Sequence, residues 1–156
     1  MQRARHMGRD PVEYARPTPD RRAMPDFQHI NPEGVFNPSH IYSHIVVPPP
    51  GRMVFFAGQW GADAQGALVG GGFAAQVERA FVNVATHLAA VGIGPAQVTK
   101  LSHYVVDLDA DKRATLHSIA GAIWAADKPA ATLIGVQRLA REGMLYEVDV
   151  SAVIPD

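Results

Sequence analysis

Glu147 and Asp149 alternate with valines in Leu145-Tyr146-Glu147-Val148-Asp149-Val150-Ser151-Ala152-Val153. Read as a strand, this segment puts Leu145, Glu147, Asp149 and Ser151 on one face and Tyr146, Val148, Val150 and Ala152 on the other. The second row suits packing beneath helices. The first row needs solvent, cover or a wet cavity. Carboxylates lining a cleft can accept protons during a reaction. On an open face they are simply solvated, and both readings stand. His117 titrates near neutral pH and can serve as acid, base or partial anion partner. Its other reading is a structural histidine on an amphipathic helix. Tyr42, in Ile41-Tyr42-Ser43-His44, offers a hydroxyl to a ligand or is a half-buried structural tyrosine. Gly58, in Phe55-Phe56-Ala57-Gly58-Gln59, exposes backbone to a ligand or simply allows a turn at a strand end.

Several chemistries lack their residues. Cysteine is absent, which removes thiolate nucleophiles, disulfides and Cys-ligated metals. The histidines are scattered. His40 and His44 have i, i+4 spacing, but Ile41 to Val47 reads as strand, so they do not share a helical face. No His-Glu-x-x-His, dinucleotide fingerprint or Gly-x-Ser-x-Gly elbow is present. Gly70-Gly71-Gly72 lacks the Lys-Ser/Thr of a phosphate loop and reads as a flexible break. No metal and no cofactor are expected. Net charge is -1, and no basic groove is evident after residue 27, so nucleic acid is not an expected partner. No apolar run approaches the ~20 residues that span a bilayer, so no membrane partner is expected. The absence of cysteine fits a cytoplasmic protein.

The 156 residues suit one domain, and 47% hydrophobic with 19% charged residues is ordinary globular composition. Residues 1-26 are rich in Arg and Pro and read as a disordered or expression-derived tail. Residues 27-156 form the domain. Ile45 to Val47, a Pro-rich turn and Met53 to Phe56 read as strand, turn, strand. Phe73 to Val91 is the clearest helix, with Val77, Phe81, Val84, Leu88 and Val91 as its apolar stripe. Gln76, Arg79, Asn83 and His87 lie off that stripe, and Gly92 stops the helix. Val98 to Val106 is a strand. Asp109 caps a second helix running to about Trp124, with Leu116, Ile119, Ala120 and Ile123 inward. Ala131 to Val136 and Leu145 to Ile154 are the last strands. The order β-hairpin, helix, strand, helix, β-hairpin predicts an α+β fold, a mixed sheet with two helices packed on one face.

These segments, from about residue 28 to 154, resemble the YjgF/RidA family. Tyr42 matches the family's early site tyrosine. Gly58-Gln59 matches its Ser-Gly-Gln element, with Ala57 in place of the serine. His117 takes a place where relatives often carry asparagine. Glu147 matches the glutamate of the penultimate acidic strand. The run Lys128-Pro129-Ala130-Ala131-Thr132-Leu133 carries the main departure, because active relatives have arginine where Ala131 stands. The resemblance implies a chorismate mutase-like sheet-and-helix fold, a homotrimer and ligand sites between subunits. It implies hydrolysis of a reactive enamine or imine, with Glu147 positioning water and Tyr42 beside it. Ala57, Gly58, Gln59, His117, Ala131, Thr132 and Leu133 would contact the substrate. The missing arginine would have held a substrate carboxylate through a bidentate pair. Its loss points to a ligand without that carboxylate, or to a non-catalytic trimer that binds a metabolite or regulates. The expected partners are a small-molecule substrate and further copies of the chain.

Overall fold

The computed structural model of the protein describes residues 26-156. The expected N-terminal tail lies almost wholly outside the described residues. Six strands and two α-helices follow in chain order: β1 (Gln28–Ile30), β2 (Ile45–Val47), β3 (Gly51–Trp60), α1 (Gly72–Ala90), β4 (Val98–Val106), α2 (Ala110–Ile123), β5 (Ala130–Val136) and β6 (Tyr146–Pro155), with a short 3-10 turn, Pro95–Gln97, before β4. The main sheet has the order β3-β6-β4-β5. β6 runs antiparallel to both neighbours, whereas β4 and β5 are parallel. The parallel pair requires a crossover, and α2 supplies it. The sheet is therefore mixed, with both helices on one face, as the sequence predicts.

The hairpins of the sequence reading are paired differently. β2 pairs with β1, not with β3. β5 and β6 are successive in the chain but are separated in the sheet by β4. The alternation in β6 has its physical cause here. A central strand has two neighbours and two faces, and only the face under the helices is dry. Tyr146, Val148, Val150 and Ala152 are at most 2% exposed and pack with Val77, Phe81, Val84, Leu88 and Leu116.

Both helices end as local chemistry dictates. Asp109 Oδ1 accepts the backbone N–H of Lys112 at 2.7 Å, which satisfies one of the free amides of α2. Gly92 takes φ +76° after α1. Its N–H and that of Ile93 donate to the carbonyls of Ala89 and Leu88, closing the last turn. Val91 lies beyond that turn and is 39% exposed, so it leaves the stripe predicted for it. Gln76 was expected off the apolar stripe and is buried. Its Nε2 donates to the Gly143 carbonyl and its Oε1 accepts from the Leu145 N–H, which pins the approach to β6 against α1. Asn83 Nδ2 likewise donates to the carbonyls of Trp60 and Ala62, at the end of β3.

Candidate functional site

The sheet divides the residues selected from the sequence into two groups. The first lies on the face turned away from the helices. A register shift between Phe56 and Gln59 carries Ala57 and Gly58 through a bulge. Gln59 follows the bulge opposite Val148 and so belongs to the other row, while its Nε2 donates back to the Ala57 carbonyl at 2.8 Å. Gly58 stands beside Glu147. A Cβ at position 58 would collide with the Glu147 carboxylate, whose Cδ lies 2.8 Å from that point. Glycine is required here by close approach, and its φ is not in the left-handed range. Glu147 is paired in register with Trp60 on one side and Tyr104 on the other. Tyr104 Oη donates to Asp149 Oδ2 at 2.9 Å. Thr132 is on the same face, and its Oγ1 accepts from Lys100 Nζ at 2.6 Å.

This arrangement sets the proton affinities. Partial burial and then the neighbouring Asp149 charge raise the Glu147 carboxyl above its ordinary pKa. The Asp149 carboxylate, by accepting a hydrogen bond from the phenol and by its charge, also holds Tyr104 above its usual value. Of the two carboxylates, Asp149 is engaged by Tyr104. Glu147 has no hydrogen-bond partner among the described residues and is the better proton acceptor.

The second group surrounds a cavity of about 220 Å³ between α2, the inner sides of β4 and β5, and the segment before β2. Tyr42, His117, Ala131 and Leu133 line it. Tyr42 reaches this position because Ser43 bridges to Ala130 and its N–H donates to the Pro129 carbonyl at 3.1 Å. Ala131 lies opposite Leu101 in the β4–β5 register and packs against the core. Burial, then the charges of Arg113 and His40, hold His117 below its ordinary pKa, so it is mostly neutral at pH 7.

The sequence reading missed three residues of these groups. Arg113 lines the cavity one helical turn before His117. His103 also lines it, and its Nδ1 is hydrogen-bonded to buried Tyr146 Oη at 2.8 Å. Burial, then His117 and Lys100, lower His103 to about 4. Tyr104 is the third. The signals were present in the i, i+4 spacing of Arg113 and His117 and in the alternation Leu101, His103, Val105. One chain does not bring Glu147 into the cavity with Tyr42 and His117. Among the described residues, no group of three His, Asp or Glu side chains could hold a metal ion. No helix of the described residues is long and apolar enough to cross a membrane.

A family model described as endoribonuclease L-PSP, the YjgF/YER057c/UK114 family, matches residues 34–154. The chain belongs to the YjgF/RidA family. A Yersinia pestis Rid protein of unknown function is 33% identical, with a TM-score of 0.77, and the match covers 83% of this chain and 99% of that one. A Thermotoga maritima protein described as a candidate endoribonuclease is 27% identical, with a TM-score of 0.62, covering 74% and 87%. A Mycobacterium tuberculosis member of the YjgF/YER057c/UK114 family is 24% identical at a TM-score of 0.57, covering 72% and 86%, and supports the fold alone. No curated protein gives a significant sequence match. Ala131 presents only a methyl group to the cavity.

Proposed function

We propose that this protein is a cytoplasmic, homotrimeric Rid-type hydrolase that releases ammonia from a small enamine or imine. The observation that carries this reading is the Glu147 carboxyl, raised in proton affinity and seated in the space left by Gly58. An enamine tautomerises to an imine, whose carbon is already electrophilic. Glu147 accepts a proton from water as the water oxygen bonds to that carbon. The nitrogen is protonated, the C–N bond of the carbinolamine breaks, and ammonia and a carbonyl compound leave. Such a reaction needs positioning and one proton acceptor more than elaborate machinery.

Because the sheet separates Glu147 from Tyr42 and His117, the reading requires a neighbouring copy to complete each site. The outer face supports this. Phe55 is 75% exposed and Ile134 38% exposed on the side that carries Glu147, and large apolar groups on an open sheet face favour cover by a partner.

The test is ammonia release from freshly generated 2-aminoacrylate and from an uncarboxylated imine, by the native chain and Glu147→Gln. Turnover lost in the variant supports the proposal. Saturable metabolite binding without turnover on any imine would favour a second reading, a non-catalytic trimer, which Ala131 motivates. RNA incubated with nuclease-free protein is expected to remain intact, given the net charge of -1.

A further inference from the structure

The cavity beside α2 has a one-sided lining. Arg113, His117, His103 and Lys128 all border it, and among the described residues no carboxylate does. These basic side chains are not equally available. Lys128 Nζ donates to the Ala125 carbonyl at 2.6 Å. His103 is bound to Tyr146. Lys112, next to Arg113, donates to the carbonyls of Val106 and Asp107. The Arg113 guanidinium, the His117 imidazole and the Tyr42 hydroxyl have no hydrogen-bond partner among the described residues. All three residues line one cavity, whose remaining surface includes Leu101, Leu116, Ala131 and Leu133.

We infer that α2 carries the anion anchor of this cavity: Arg113, supported by His117 one turn later, holds the carboxylate of a small ligand whose apolar body rests over Ala131 and Leu133. The guanidinium is planar and presents paired N–H donors, which match a carboxylate bidentately. The neutral imidazole adds one donor. The size of the cavity, about 220 Å³, falls below the range usual for drug-sized ligands and selects a short chain or a single ring. The apolar floor favours an amphiphilic carboxylate over a fully hydrated phosphate. Ala131 then has a role, because a long side chain there would fill the space that the ligand body needs. This inference takes the cavity as the ligand site of the proposed function and names the group that fixes the ligand there.

The experiment is calorimetric titration of the native protein and Arg113→Gln with isobutyrate, with isobutyramide of the same shape, and with inorganic phosphate. Glutamine keeps the helix propensity at this exposed position, and circular dichroism confirms folding. The native protein should bind isobutyrate at least tenfold more tightly than isobutyramide or phosphate. Arg113→Gln should remove that preference, with amide binding unchanged, and Arg113→Lys should restore part of it. A preference that survives in Arg113→Gln, tighter binding of phosphate, or no saturable binding of isobutyrate overturns the inference. Ammonia release separates this result from the hydrolase reading. Turnover that depends on Glu147 but not on Arg113 leaves the hydrolase and removes the anchor. Carboxylate binding that depends on Arg113 without any turnover leaves the anchor and removes the hydrolase.

Discussion

Along β6, alternate side chains meet opposite surroundings. Tyr146, Val148, Val150 and Ala152 lie beneath the helices and are almost completely buried. Glu147, Asp149 and Ser151 face away, half-buried or exposed. Each row has ionisable members, treated differently. On the inner face, Tyr146 and His103 satisfy each other and are both held neutral by burial, which raises the phenol well above its usual pKa and lowers the imidazole. On the outer face, Tyr104 satisfies Asp149, while Glu147 keeps a raised proton affinity and no partner among the described residues. A buried pair that is complete stabilises one fixed arrangement. An unpartnered carboxyl at a half-buried position is suited to exchanging protons.

The largest effect should come from the outer face. Glu147→Gln keeps the size of the side chain and removes its basicity. Turnover should fall by roughly 10²- to 10⁴-fold, as for loss of a general base. The melting temperature should change little, because among the described residues the carboxyl makes no hydrogen bond that the amide would lose. In the native protein, activity should decline as pH falls through the raised pKa of Glu147, because the carboxyl is then protonated. Native-like turnover in Glu147→Gln would move the chemistry off this face.

The inner face should answer to acid through stability. His103 is lowered from 6.5 to about 4. Between these values the unfolded chain takes up a proton that the native state refuses. The stabilisation is therefore complete above pH 6.5 and is lost as pH falls toward 4. The shift of about 2.5 units corresponds to about 3 kcal/mol. Urea unfolding at pH 7 and pH 4 measures it. His103→Phe combined with Tyr146→Phe removes both polar partners together, which avoids orphaning one of them. The double variant should lose about 3 kcal/mol less than the native protein over the same pH range. Equal losses would show that His103 is not what makes the core acid-sensitive.

The fold was more legible than the site, and β6 shows why. Alternation along one strand fixes its two faces, and the stripe Val77, Phe81, Val84, Leu88 fixes the buried side of α1. These are local periodicities. Strand pairing is not local. Nothing within Ala130–Val136 says that it lies beside β4 and not beside the next strand in the chain. Gln76 was missed because burial of an amide is decided by the carbonyl of Gly143 and the amide of Leu145, which are distant in sequence. The candidate site was legible as residue types and not as a constellation. Glu147 and Gly58 do meet. Tyr42, His117 and Ala131 meet elsewhere, and the sheet between the groups cannot be read from spacing. Arg113 was passed over because arginines on amphipathic helices are ordinarily solvated, and only the cavity distinguishes this one.

Val148→Ala tests the same strand from the inner side. The residue is 0% exposed, so losing its methyl groups should cost about 2 kcal/mol in unfolding free energy. Turnover per folded molecule should stay within about twofold. The pair Glu147→Gln and Val148→Ala would then separate activity from stability at adjacent residues. If Val148→Ala lowers turnover as far as Glu147→Gln, the two faces are not independent.

The smallest expected effect is the most specific. Gly58→Ala introduces a Cβ against the end of the Glu147 side chain and not against backbone. A flexible carboxyl can swing aside, so the stability cost should stay below about 1 kcal/mol. Its displacement should still lower turnover about tenfold, or about 1.4 kcal/mol in barrier. The double variant Gly58→Ala with Glu147→Gln decides how that loss arises. If the methyl group acts by moving the carboxyl, the double variant should be no slower than Glu147→Gln alone, because the displaced group has already lost its basicity. A further tenfold loss in the double variant would mean that Gly58 acts through its own backbone, by holding the ligand at the bulge. The two strands would then contribute separately to the outer face, and Glu147 would no longer explain the glycine.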